Sequence, residues 1–575
     1  MHLSRTHLSV ALATVLLAMT CVSLYQAPAV IHAETYRAKP AEASAPETVP
    51  GAIPVSRADA ACARCHAAIV QEYERTPHAI ASGIATEKLI PGWLTQPASG
   101  VTYTVTETKG EALLTYRDPA NPSLAGSHRL DYYLGSGHLG VTYLYSVSGY
   151  LLESPIAYYT HIGRYDMKPG LAGVSEGAPA IPLTPECLRC HMSGVEKTDA
   201  GSLNHYTGAP FHTGGIACES CHGDASAHMR SGGKAPVLNP AKLTADRRDS
   251  ICISCHLEGD VSVEKNNRSA LDFHPGDAIS EDLAYFVYGH AGATARGVSE
   301  VEQFAASRCK RASGDSMSCT TCHDPHFVPA PAQRVTYYRA KCLSCHGVGD
   351  AGVAFAATHH PENPDCTSCH MPRSTAENIP HVAWTDHRIL ARPDPANATA
   401  PAAHSNELVP IFSPDATPRD LALAYYAAVM HGHTEDGAQA CSLLTASFED
   451  DAKDVQVINA LATLADAKGD AAQAGRLFAE VLTLDPKNSF AATDLAVLNA
   501  RNGRLREART LLQPVFERNQ DVPSIAVNLA AVECLQGDGK AAQSTLETAL
   551  RYSPGSHDLQ RRLARTAACG IPSAP

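Results

Sequence analysis

In CLRCHMSGVEKTDAGSLNHYTGAPFHTGGIACESCHGDASAHMRSGGKAPVLNPAKLTADRRDSICISCH, residues 187–256, the pattern Cys-x-x-Cys-His occurs three times. Across the 575-residue chain it occurs seven times: Cys62/Cys65/His66, Cys187/Cys190/His191, Cys218/Cys221/His222, Cys252/Cys255/His256, Cys319/Cys322/His323, Cys342/Cys345/His346 and Cys366/Cys369/His370. A single copy would suit half of a zinc site or a redox-active dithiol. Neither chemistry asks for a histidine directly after the second cysteine in every copy. Covalent haem does: the two thiols add across porphyrin vinyl groups, and the adjacent imidazole binds the iron from the proximal side. The motifs therefore predict seven covalently bound haem c groups, anchored by the motif cysteines, with these seven histidines as proximal ligands. Cys21, Cys309, Cys441, Cys534 and Cys569 are left over.

The N-terminus, MHLSRTHLSVALATVLLAMTCVSLYQAPAVIHAETY, has one early arginine, an apolar run from Leu8 to about Leu24 and small residues before Glu34. It reads as a secretory signal over residues 1–33, cleaved after Ala33. If left uncleaved, the run is long enough to anchor the chain in a membrane. Ala18-Met19-Thr20 is a poor lipobox, which argues against lipidation of Cys21. Export agrees with c-type haem, which in bacteria is attached outside the cytoplasm, and places the protein in the periplasm or outside the cell. The formal net charge of −13 argues against nucleic acid and favours basic partner proteins or small redox molecules.

Residues 34–58 are rich in Ala, Pro and Glu without apolar periodicity, as in a flexible tether. A haem region follows over 59–391. With little polypeptide for each macrocycle and only 6% aromatic residues, porphyrin surface is expected to supply much of its core, with neither long helices nor a sheet-rich interior. GVTYTVTETKGEALLTYRD alternates around Lys109-Gly110 as a β-hairpin does, so 100–165 is expected to be a small β-containing insertion. Short helices and Gly/Pro loops should join the six later motifs.

A Pro/Ala-rich linker over 392–415 leads to Ala- and Leu-rich sequence over 416–575. There Gly469, Gly503 and Gly537 recur every 34 residues, as do Ala440, Ala474, Ala508 and Ala542, and Pro486 and Pro554 lie two periods apart. Gly in the inter-helix turn, Ala at the close helix contact and Pro after the second helix make the tetratricopeptide pattern, an all-α solenoid of about four units starting near Pro418. An ordinary helical bundle is the plainer alternative. Such arrays present surfaces for proteins, here a redox partner; capping or dimerising the haem region is the competing role.

Five runs carry a family resemblance: GIACESCHGDASAHM, NPAKLTADRRDSICISCHLEGD, SRCKRASGDSMSCTTCHDPH, CLSCH and CTSCHMPRSTAENIPHVAWTDHRIL. In this order they resemble the cytochrome c-552/c-554-type multihaem proteins with C-terminal tetratricopeptide repeats. The resemblance implies an exported, haem-binding electron-transfer protein and leaves the substrate open. It also implies distal iron ligands at His78, His228, His326 and His387. His359 or His360 and His381 rank next, and His138, His161, His212, His274 and His290 are weaker candidates.

Iron with histidine on both faces is closed and suits electron transfer, whereas one free face admits a substrate. The leading expectation is a heptahaem electron carrier with mostly bis-histidine haems and a repeat domain for docking. The enzyme alternative is a multihaem oxidoreductase acting on a small nitrogen or sulfur compound at one open haem, with Cys309 nearby; a plainer role for Cys309 is an inert or disulfide-bonded thiol. No Cys-x-x-Cys-Lys occurs, so the lysine-ligated haem of pentahaem nitrite reductases is not encoded, and an eight-haem hydroxylamine-oxidising enzyme would need one motif more. The third alternative is a repeat-based scaffold with mainly structural haems.

Overall fold

The computed structural model of the protein describes residues 59–289, 298–347, 359, 362–376, 379, 381–391 and 407–569. The expected signal segment and tether, most of the linker, His290 and His360 lie outside the described residues. Among the described residues no helix is long and apolar enough to cross a membrane.

The helix Asp59–Tyr73 is followed by ten short strands: β1 (Ser82–Ile84), β2 (Gly92–Thr95), β3 (Thr102–Thr108), β4 (Glu111–Arg117), β5 (Ala125–Arg129), β6 (Tyr132–Leu134), β7 (Gly140–Val147), β8 (Tyr150–Glu153), β9 (Ile156–Tyr159) and β10 (Arg164–Met167). They form a four-stranded sheet, β2-β3-β4-β5, and a six-stranded sheet in which β1-β6-β7-β9-β10 run in order and β8 also pairs with β7. The expected hairpin is β3/β4, with Val105 opposite Leu114. Lys109 and Gly110 both take positive φ, 55° and 83°, as in the two-residue turns whose twist matches that of the strands.

Tyr103, Val105 and Leu114 from one sheet and Val141, Tyr143 and Ile156 from the other bury into one shared core. The hydroxyls of Tyr143 and Tyr103 find backbone partners. Tyr143 donates to Lys88 O (3.0 Å) and accepts from Ile90 N (2.8 Å), while Tyr103 accepts from Ala178 N (2.8 Å). The β-containing segment is thus larger than the sequence suggests, and the expectation that the interior would lack a sheet core is corrected for 82–167. The physical reason is the tyrosines: the sheets bury them with satisfied hydroxyls, supplying the aromatic surface that porphyrin was expected to supply.

From 185 to 391 the chain is mostly short helices and loops, as expected, with two-stranded pieces at Met192–Val195/Phe211–Gly214 and Arg373–Thr375/Ala383–Thr385. Val261–Glu264, Leu283–Tyr288 and Leu408–Ile411 form a three-stranded sheet. Its last strand comes from the stretch read as a linker and ties the repeats to the haem region.

The repeats are four helix pairs: Pro418–Met430 with Gly437–Asp450, Val455–Ala467 with Ala471–Leu484, Ser489–Arg501 with Leu505–Arg518, and Pro523–Leu535 with Gly539–Leu550. Thr417 and Asp420 make a capping box around Pro418 at the first helical position, which starts the array where the periodicity placed it. Gly469, Gly503 and Gly537 take φ of 84°, 74° and 83°, the left-handed conformation that ends a helix. Ala440, Ala474, Ala508 and Ala542 are buried at the helix contacts. A Cys534–Cys569 disulfide staples the last pair to the C-terminal turn.

One edge of the array, its inter-repeat turns, packs on the haem region. Ser489 Oγ and Asn519 Nδ2 donate to Gly201 O (2.7 and 3.0 Å), Asn204 Nδ2 donates to Asp521 Oδ2 (2.8 Å), and Ala180 N donates to Ser553 Oγ (3.1 Å). Nearer its start, Lys265 pairs with buried Asp420 (2.8 Å).

Candidate haem centres

Every motif lies on or directly beside a helical turn. Cys at i and i+3 and His at i+4 then share one face, so two thiols and an imidazole meet one flat group from one side. The helices Ala245–His256, Arg334–His346 and Cys366–His370 end on their histidines. Asp365 caps the last of these through Thr367 N and Ser368 N. In Asp59–Tyr73 the helix breaks at His66 (φ −115°, ψ 35°).

The motif cysteines differ in burial. The polypeptide leaves Cys65, Cys187, Cys345 and Cys369 exposed and partly covers Cys62, Cys190, Cys218, Cys221, Cys252, Cys255, Cys319, Cys322, Cys342 and Cys366. The reason is what packs on each turn. Arg334–His346 and Cys366–His370, which carry Cys345 and Cys369, bury no residue against protein, and the stretch around Cys65, from Arg64 to Ile69, is exposed. Cys190, Cys252, Cys255 and Cys319 are instead covered by one another across neighbouring motifs. Exposure leaves the four thiols accessible to the vinyl groups they would have to attack.

A metal between two imidazole nitrogens at about 2 Å each, with each nitrogen about 1 Å from its ring centre, sets the ring centres about 6 Å apart. Five histidine pairs have this spacing. His66 and His228 are 6.3 Å apart centre to centre, His222 and His326 5.9 Å, His323 and His387 6.2 Å, and His359 and His370 6.0 Å, with ring planes 18–33° apart. His78 and His256 are 5.9 Å apart and nearly perpendicular, at 78°. Each pair joins a motif histidine to one from elsewhere in the chain, so the residues present fit iron held from both faces.

Hydrogen bonds select the tautomer. The Nδ1 atoms of His222, His228, His370 and His387 lie 2.6–2.9 Å from the carbonyls of Leu238, Ala235, Leu390 and Thr385. A carbonyl only accepts, so Nδ1 carries the proton and Nε2 keeps its lone pair for a metal. Burial lowers His78, His191 and His323 to about 4, with His256 adding to the effect at His78, Lys168 then His256 at His191, and His387 first among the neighbours at His323. These imidazoles are neutral, the ligating form, at physiological pH.

All four distal candidates, His78, His228, His326 and His387, thus face motif histidines, and His359 joins them. His381 is used otherwise: its Nε2 lies 2.7 Å from Asp166 Oδ2 on β10. His212 pairs with Glu196 (2.7 Å), and His274 Nδ1 lies on Asp272 O (2.7 Å). Burial lowers His138, and Arg334 and Arg373 lower it further. Among the described residues no imidazole faces His191; its carbonyl accepts from Ser82 Oγ (2.8 Å). Cys309, on the helix Arg308–Ser313, is half-buried, its thiol pushed up by burial, with motif cysteine Cys345 close by. Which motif each distal histidine faces has no local sequence signal, because partners come from different motifs' segments.

Comparisons with known proteins match the motif region and the repeats separately. The family described as cytochrome c554 and c-prime matches residues 170–223, the doubled CXXCH motif matches 312–351, and the tetratricopeptide repeat matches 467–531. The C-type polyheme cytochrome OmcB of Geobacter sulfurreducens is 25% identical over 221 residues, covering 35% of this chain and 27% of OmcB. The multiheme cytochrome MtrA of Shewanella baltica is 23% identical over 208 residues, covering 35% of this chain and 49% of MtrA. The chain therefore spans about a quarter to a half of these relatives' lengths. A solved structure of MamA AMB-1 aligns with 27% of this chain and 87% of its own at 23% identity and a TM-score of 0.24. The chain carries a multihaem cytochrome c region of the c554 and CXXCH kind, with multiple haems held covalently through its CXXCH motifs, followed by C-terminal tetratricopeptide repeats.

Proposed function

We propose that the protein is an exported heptahaem c-type cytochrome that relays electrons in the periplasm or outside the cell. The observation that carries this reading is the set of five imidazole pairs. His66, His222, His256, His323 and His370 would hold iron from the proximal face, with His228, His326, His78, His387 and His359 opposite. His191 and His346 complete the proximal set. Bound haem supplies one-electron chemistry at iron, at potentials set by its ligands and surroundings. The chain fixes the positions of these centres, keeps the buried imidazoles of His78, His191 and His323 neutral and orients those of His222, His228, His370 and His387 through backbone carbonyls.

The Cys534–Cys569 disulfide agrees with an oxidising compartment, as does the N-terminal signal pattern. In this reading residues 59–391 carry the haems, 392–415 link, and 416–575 dock a redox partner. Gly469 and Gly503 have open space around them, so their turns are free for that partner while the opposite edge holds the haem region. Mass spectrometry of the exported protein should show seven haem additions, and electron paramagnetic resonance should be dominated by low-spin ferric signals. Fewer than seven additions, or mainly high-spin iron, would sink this reading.

His191 favours a second reading, in which one open site makes the protein a multihaem oxidoreductase for a small nitrogen or sulfur compound. This predicts one high-spin ferric signal that shifts with cyanide or nitric oxide. A wholly low-spin protein that ignores both would exclude it.

A further inference from the structure

Cysteines of different motifs lie side by side. The side chain of Cys190 of the second motif lies against that of Cys255 of the fourth. Around that contact Cys255 Sγ lies 3.9 Å from Arg189 O, and the Arg189 guanidinium donates to Ser254 O. One turn away, Cys252 makes the same kind of contact with Cys319 of the fifth motif, and Lys310 reaches Asp249 across that junction at 3.9 Å. Cys342 of the sixth motif contacts Cys366 of the seventh, and Arg339 reaches Cys366 Sγ at 3.8 Å.

Rings make the other links. His323 of the fifth motif is 5.9 Å from Tyr338, on the helix that ends in the sixth motif. His326, three residues after His323, faces His222 of the third motif, and His228, six residues after His222, faces His66 of the first. A motif cysteine is bonded to the porphyrin edge, so two such sulfurs in contact bring two porphyrin edges together.

We infer that the haem sites form one branched relay, ordered second, fourth, fifth, sixth, seventh along its trunk, with the third against the fifth and the first beyond the third. This rests on the electron-transfer reading. Sequence order is therefore not spatial order, and the relay has three ends, at His191, at His370 and at His66. A reduced partner protein supplies an electron at one end and an oxidised partner removes it at another. Each hop oxidises one site and reduces its neighbour by one electron, with no atom transferred.

The test is a haem-resolved cryo-electron microscopy structure of the full-length holoprotein, with haems counted by mass spectrometry on the same sample. The expected result is that the haem on Cys187/Cys190 has the one on Cys252/Cys255 as its nearest neighbour, and that the seventh meets the rest through the sixth. Seven haems in any other order overturn this inference alone, whereas fewer than seven strike at the electron-carrier reading beneath it. A second measurement uses Cys252→Ala/Cys255→Ala, which removes the fourth attachment. Loss of magnetic coupling at the second site's iron, whose sole neighbour in this order is the fourth, supports the order, and unchanged coupling there overturns it.

Discussion

The haem-motif segments and the repeat array secure their helices in opposite ways. The helices of the array bury Ala, Leu, Val and Phe in two clusters, one over Ala422 to Leu498 that also takes in Val261, Val263, Ala284, Phe286 and Leu408 of the three-stranded sheet, and one from Ala492 to Leu559. In the motif segments, Glu219–His222, Cys319–Cys322, Arg334–His346 and Cys366–His370 have no buried residue at all. Helices this short are not stable alone in water. What differs is the source of the core: the array builds its core from side chains, while in the proposed reading the motif helices would present thiols and imidazoles to a core that macrocycles supply.

The largest test of this contrast is to block haem attachment. Haem-free protein should lose protection against hydrogen exchange across residues 219–370 while 418–563 stays protected; uniform protection would break the comparison. Next, Cys534→Ser opens the staple at the end of the array and should cost about 3 kcal/mol in denaturant unfolding of the array, with the haem spectrum unchanged. At the seam between the regions, a Cβ on Gly555 would sit 1.8 Å from Gly177 O. Gly555→Ala should therefore cost about 2 kcal/mol and expose the 177–206 face to proteolysis.

The smallest effect concerns Asp521, which Asn204 binds at the same seam. Burial raises its carboxyl to about 6. The folded state therefore holds this proton more tightly than the unfolded one, and its disadvantage grows as pH rises from about 4 to 6 and is complete above that. Asp521→Asn keeps an acceptor for Asn204 and should stabilise the protein by roughly 1 kcal/mol at pH 7 and by nothing below pH 4. An equal effect at both pH values would remove the carboxylate from the account.

Features written locally were legible in the sequence. The Cys-x-x-Cys-His turns and the Lys109-Gly110 hairpin depend on residues within one or two turns of each other, and the 34-residue period repeats one local helix–turn–helix pattern. The motifs do not tell which cysteines are covered: Cys65 and Cys369 stand exposed while Cys255 is partly covered, because cover comes from whichever segment packs over the turn. His78, His228, His326 and His387 were picked out by resemblance, but not their partners, since His78 meets His256 and His326 meets His222 only through tertiary packing. The β-core was under-read because its strands are three to eight residues long and its tyrosines can be either core or surface. His381 ranked above His212 by position alone, yet a carboxylate on a distant strand, Asp166, takes its imidazole. Cys534 and Cys569, 35 residues apart, gave no sign of pairing until the last helix pair brought them together.

The imidazole pairs also act on the chain as a polymer. His66 waits for His228, His78 for His256, His222 for His326 and His323 for His387, so these loops overlap and each of the first three encloses the start of another. Iron seated between two such residues closes a loop much as a disulfide does, lowering the entropy of the unfolded chain. Loading the cofactors would thus fasten the polypeptide through a series of interlocked clasps. As the chain emerges from its N-terminus, none of these clasps can shut until its later half arrives.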